Sequence, residues 1–279
     1  MLFRSVLADV KSRCHAQIGE IGMLGFSDGA LYTSYISKMD AEQRRIGADI
    51  YLLVNPPVDL LEAARKIDQM AAIGKQYGTD QKKQIEAYAF GVLAEALRSD
   101  IDNPYYFADW DKRLQLNDKQ IKFLIGKNFH DSVGDTIYTL DLATNLDYLK
   151  TPISWGYRSA RLEEARSYNL MHYVETFVIP RLRRISNYKE MNLQALDRLN
   201  SMRGIKSVLE NNRSVFLMHN LDDILVSPED IAYLEEVFGD RAMIYPHGGH
   251  LGNLWYPDNK KHILDVFSPL LYGSAQSNP

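Results

Sequence analysis

Apolar positions along this chain change period several times, and the changes mark its elements. Ile21-Gly22-Met23-Leu24-Gly25-Phe26 is a short apolar run after Glu20, the length of one buried strand in a parallel sheet. From Ala30 the spacing turns helical: Ala30, Leu31, Tyr32, Tyr35 and Ile36 share one face, so a helix opens where the strand stops. Asp49 to Asn55 predicts a second parallel strand, closed by Pro56-Pro57, and Val215 to Met218 and Ala242 to Tyr245 predict two more. Between these last two, Ser227 is placed to cap a helix, with Pro228 in the first turn and Asp230 completing a capping box. Ile231, Leu234, Val237 and Phe238 give that helix its apolar face.

The middle of the chain, 58–180, is helical in pattern, most clearly over Leu60 to Ile73, Gln81 to Leu97, Asp118 to Asn128 and Arg161 to Val178. Arg181 to Leu209 then leads back as helices to the strand at Val215. An amphipathic helix is expected at Leu2 to Gln17, through Leu2, Val6, Leu7, Val10 and Cys14. Charges are interspersed in it, so it reads as a core-packing helix rather than a signal peptide. Strands of this kind with helices between them define the α/β class. The expected division is a sheet-bearing core from 1–57 and 181–279, with a helical insertion over 58–180.

The 279 residues are 46% hydrophobic, enough for a large core in one or two domains. Net charge is −4, so no nucleic-acid footprint is expected. The short basic run Arg181-Leu182-Arg183-Arg184 reads as a solvated helix face. No run of apolar residues is long enough to predict a transmembrane segment. The single cysteine, Cys14, can form no internal disulfide and is compatible with the cytoplasm or a bacterial envelope.

The chemistry concentrates at the two ends. Gly25-Phe26-Ser27-Asp28-Gly29 is a G-x-S-x-G pattern between a strand and a helix. A serine in so sharp a turn is held at strained backbone angles with its hydroxyl out of the sheet. Small residues are expected two positions either side, at Gly25 and Gly29. The Asp28 amide, at the helix N-terminus, would face a developing oxyanion. Far downstream, Asp223 follows one strand and His250 the next, on a loop opened by Gly248-Gly249. That supplies an acid to orient an imidazole and a base to take the serine proton. Asp222 reads as a solvated loop carboxylate whose loss costs little. His219, at a strand end, reads as a hydrogen-bonded structural histidine. His247 competes with His250, but the double glycine favours His250. No Cys/His cluster has metal-ligand spacing, and no cofactor is expected.

The segments His219-x-x-x-Asp223-x-x-Val226 and Gly248-Gly249-His250-Leu251-Gly252, with the serine elbow upstream, resemble the α/β-hydrolase superfamily of serine esterases and lipases. The resemblance implies the C-terminal part of that parallel sheet, with 58–180 as a large helical cap. It implies a Ser27, Asp223, His250 triad acting on a small-molecule carboxylic ester, with Asp28 as an oxyanion donor. Within the insertion, Tyr105, Tyr106, Phe107 and Trp110 lie outside strong helical periodicity and form the candidate substrate-facing wall. A complete sheet of this superfamily carries several strands and a second oxyanion donor before the elbow, whereas 26 residues precede Ser27 here. The reading therefore expects the Ile21 to Phe26 strand at an exposed edge, where a second copy or a completing chain would pair. The alternative is a remnant of the fold that binds a partner without turnover.

Overall fold

The structure, a computed structural model, describes residues 19–44, 46–98, 115–144 and 148–272, together with Asp9, Ser12 and Arg13. The rest of the Leu2 to Gln17 segment, and Tyr105, Tyr106, Phe107 and Trp110, lie outside the described residues. In chain order the elements are β1 (Gly22–Phe26), α1 (Asp28–Gln43), β2 (Ile50–Val54), α2 (Leu60–Ala72), α3 (Thr79–Arg98), α4 (Asp118–Thr144) and α5 (Arg158–Ala165). Then come α6 (Leu170–Tyr173), a π-helical segment (Val174–Val178), α7 (Ile179–Arg183), α8 (Leu193–Leu199) and α9 (Lys206–Asn211). The chain closes with β3 (Val215–Asn220), α10 (Pro228–Phe238), β4 (Ala242–Tyr245) and α11 (Pro257–Tyr272). The chain divides into two units, Met1–Leu60 with Arg198–Pro279, and Leu61–Asp197.

The first unit is α/β. Among the described residues its four strands are all parallel, in the order β1-β2-β3-β4. β2 is buried throughout, and the alternation of a strand sends its residues to two cores. Tyr51 and Leu53 pack with Ala30 and Leu31 of α1 and with Leu234 and Phe238 of α10. Ile50, Leu52 and Val54 pack with Met218 and with Val266 of α11. Burial on both faces explains why these strands are continuous apolar runs. Among the described residues β1 pairs with β2 alone and forms the edge of the sheet, as expected for the strand at Ile21 to Phe26, and its Leu24 and Phe26 are 37% and 40% exposed. The expected capping box of α10 is present, with Ser227 and Asp230 bonding each other's backbone amides.

The second unit is helical. Two of its elements differ from the sequence pattern. α4 runs on to Thr144, well beyond Asn128. The helix expected over Arg161 to Val178 is broken after Ala165 and restarts at Leu170. The break is set by side chains: Asn169 accepts from the His172 amide, and both Asp68 carboxylate oxygens accept from the Leu170 and Met171 amides at 2.9 Å. These bonds satisfy the orphan donors of a new helix start. The unit also extends to Asp197 rather than ending at Pro180, because Met191 and Leu196 bury with Leu61 and Ile179. Among the described residues no helix is long and apolar enough to cross a membrane.

Candidate functional site: a serine, a histidine and an aspartate at the strand ends

The site lies where the parallel strands stop. Phe26, Val54 and Met218 are aligned across β1, β2 and β3, so Ser27 and Asn55, the first residues past β1 and β2, stand level with His219 near the end of β3. Carboxyl ends of parallel strands are where open α/β sheets place ligands.

Ser27 has φ 52° and ψ −124°, a sparsely populated conformation for a residue with a side chain. Its amide bonds the Val54 carbonyl at 2.9 Å and its carbonyl accepts from Ala30 at 2.9 Å, so sheet and helix hold it from both sides. Asp28 is the first residue of α1, and its amide has no carbonyl to bond within the helix. A Cβ added to Gly25 would overlap Thr33 Oγ1 and come within 2.5 Å of the Gly29 carbonyl and 2.7 Å of Ala30 Cα. Gly29 differs from expectation: an added Cβ there meets nothing within 4 Å. Only the glycine before the serine is required by packing. Gly25→Ala is therefore expected to cost about 1–3 kcal/mol by overpacking against backbone. Gly29→Ala is expected to be neutral or stabilising by a few tenths of a kcal/mol. Urea unfolding of the two variants checks the contrast.

His250 comes to this serine from β4's exit loop. Its Nε2 lies 2.8 Å from Ser27 Oγ, and its Nδ1 lies 2.9 Å from Asp223 Oδ2. Asp223 is 4% exposed. Its Oδ2 also accepts from Asn55 Nδ2 at 2.9 Å, and its Oδ1 accepts from the Leu225 amide at 2.9 Å. Burial alone would raise the Asp223 pKa. The hydrogen bond and charge of His250, the Leu225 amide and His219 outweigh it and hold the carboxyl below its usual range. An ionised carboxylate only accepts, so the His250 proton sits on Nδ1 and the Nε2 lone pair faces the serine hydroxyl.

The loop carrying His250 is held by residues that sequence reasoning passed over. Asp222 is not merely solvated: Oδ1 accepts from the Gly249 amide at 2.7 Å and Oδ2 from the Gly248 amide at 3.2 Å. Beneath the loop, Asn55, Asn220 and Asn253 are all buried. Asn220 Nδ2 donates to the Gly249 carbonyl at 2.8 Å, and Asn253 Nδ2 donates to Asn220 Oδ1 at 2.8 Å and the His247 carbonyl at 3.2 Å. Gly248, at φ 153°, passes so close that a Cβ would overlap the Asn253 amide. A visible signal existed for two of these residues: Asn55 and Asn220 stand at strand exits, as Ser27 does. Asp222→Asn keeps one acceptor and turns an NH2 toward the other amide. It is expected to lower any kcat roughly ten- to a hundredfold through displacement of His250, with KM little changed, as steady-state ester kinetics would show.

His219 is fully buried beside the acid, with Nε2 3.9 Å from Asp223 Oδ2. Nε2 faces the Pro56 carbonyl at 3.2 Å, an acceptor, so Nε2 carries the proton and Nδ1 accepts from the Asn220 amide at 2.9 Å. Burial pushes its pKa down, against the pull of Asp223 and the neighbouring carbonyls. The unfolded chain takes up this proton below about pH 6.5 while the folded chain does not. Stability is therefore lost as pH falls through that value. The expected result is a urea midpoint that drops between pH 7.5 and 5.5 in the wild type and drops less in His219→Gln. Loss of the Asp223 contribution belongs to a lower window, below the ordinary carboxylate pKa of about 4.

His247 is exposed and 3.7 Å from Asp222, away from the serine's partners. Among the described residues no three His, Cys, Asp or Glu side chains gather to hold a metal ion. No protein-family model matches the chain, and no curated protein does.

Proposed function

We propose that this chain is a serine hydrolase of carboxylic esters, built on an α/β-hydrolase core, with Ser27 as nucleophile, His250 as base and Asp223 as its orienting acid. The observation that carries the reading is the continuous contact from Ser27 Oγ through His250 to a buried carboxylate, at 2.8 and 2.9 Å, starting from a serine in strained backbone geometry. Strain of this kind costs of order 1–3 kcal/mol and clusters at functional sites. In this reading Ser27 Oγ attacks the ester carbonyl carbon and its proton moves to His250 Nε2. The tetrahedral oxyanion takes the Asp28 amide proton as a hydrogen bond, at the positive end of α1. Collapse breaks the ester C–O bond, and the departing alkoxide takes the proton from Nε2. Water, deprotonated by the same nitrogen, then releases the acid and regenerates Ser27. The helical unit takes the part of the cap that the resemblance implies.

Turnover of p-nitrophenyl acetate and butyrate tests the reading. A saturable rate above buffer, with an early burst from acyl-enzyme formation, is expected. A rate indistinguishable from buffer leaves the alternative of a non-catalytic binding module.

A further inference from the structure

The helical unit contains a cavity of about 350 Å³ that the triad reading does not use. Its wall is apolar along Ile137, Phe177, Val178 and Leu182. It opens past Leu140 and Ile185, which are 42% and 48% exposed. The π-helical segment brings Phe177 and Val178 to this wall. Such segments frequently mark functional sites.

The polar side chains of the wall are Thr144, whose hydroxyl donates to the Leu140 carbonyl, and three further groups able to donate. Tyr148, Tyr173 and Arg181 line the cavity, and Arg181 is its one charged residue among the described residues. The three interact: burial raises the Tyr173 pKa, Tyr148 adds to that rise, and the Arg181 charge opposes it. The wall is also fixed. Phe177 packs between Tyr148 and Tyr173, at ring separations of 4.9 and 5.7 Å. The Tyr148 amide bonds Asp141 at 2.7 Å, and Asp141 is itself buried and paired with Arg161. Arg181 is exposed, as expected for the basic run 181–184, and it stands at the mouth of this cavity with Leu140 and Ile185.

We propose that this cavity binds a medium-chain alkanoate, with the alkyl chain along Ile137, Phe177 and Leu182 and the carboxylate at Arg181 and the two tyrosine hydroxyls. Among the described residues the lining offers a guanidinium and phenols as donors with no carboxylate beside them, which suits an anionic acceptor group. A single cation suits a monoanion. The remaining apolar volume excludes a small polar anion as the matching ligand, because its lining would stay unfilled. The inference does not rest on the triad.

Calorimetry of the full chain carrying Ser27→Ala, titrated with decanoate, octanoate and decanol, tests it. Decanoate is expected to saturate one site, with about fourfold weaker binding for each methylene removed. Arg181→Gln should weaken decanoate about tenfold and leave decanol unchanged. Ile185→Asp, at the exposed rim, should weaken decanoate more than decanol by like-charge repulsion. In the chain with its native cavity, decanoate should slow amide exchange across residues 174–183. No saturable binding, equal affinity for decanol, decanoate binding unmoved by both variants, or protection elsewhere overturns the proposal.

Discussion

Ser27→Ala is expected to remove ester turnover almost entirely, a loss on the order of a millionfold in kcat where the members of a triad act as a unit. Ser27 Oγ is the group at hydrogen-bond distance from His250 Nε2, and the orientation of His250 by Asp223 has no effect without an oxygen to activate. Ser27→Gly separates catalysis from folding. It removes the same hydroxyl, yet glycine adopts φ 52° without a side-chain penalty. Ser27→Gly should therefore be as inactive as Ser27→Ala and more stable than the wild type by roughly 1–2 kcal/mol. A variant that is inactive and stabilised marks a residue held under strain for function. An inactive variant that is also unfolded would say nothing about the hydroxyl, and this substitution is chosen to avoid that outcome.

Asp223→Asn is expected to lower kcat on the order of a thousand- to ten-thousandfold. With its NH2 placed at Oδ2, the asparagine donates to His250 Nδ1, forces the proton onto Nε2 and leaves no base facing Ser27. That orientation also sets the NH2 against the Asn55 amide group that donates to Oδ2. With the NH2 at Oδ1 instead, it meets the Leu225 amide, another donor. Either way a buried donor loses its acceptor, and no negative charge remains to stabilise the imidazolium. The loss should exceed that of Asp222→Asn by at least about tenfold, since Asp222 touches the loop backbone and not the imidazole. Equal losses in the two variants would mean that the acid has been wrongly assigned.

The elements were legible where periodicity was strong and local. β2 and β3 show as apolar runs because both their faces are covered, and α10 announces itself through Ser227, Pro228 and Asp230 within one turn. The order of serine, aspartate and histidine was legible because each follows a strand, and parallel strands deliver their ends to one edge. What failed to show depends on partners distant in sequence. The break before Leu170 is made by Asp68, about a hundred residues earlier in the chain. The amide cluster of Asn55, Asn220 and Asn253 exists only once β2 and β3 are in register and the loop after β4 has folded back. Gly29 looked as necessary as Gly25 from spacing alone, but the close approach is one-sided, from α1 onto β1. Asp222 looked solvated because a carboxylate accepting backbone amides has the same sequence as one facing water.

The most direct test of the central claim is covalent labelling of the native chain with a fluorophosphonate, read by intact mass and peptide mapping. A serine activated by a neighbouring imidazole displaces fluoride and keeps the phosphonyl group, whatever the natural substrate. The account predicts a single adduct on the peptide containing Ser27, none after denaturation or in Ser27→Ala, and sharply slowed labelling in Asp223→Asn. A folded chain that takes no adduct, or that labels at another serine with Ser27 untouched, would contradict it.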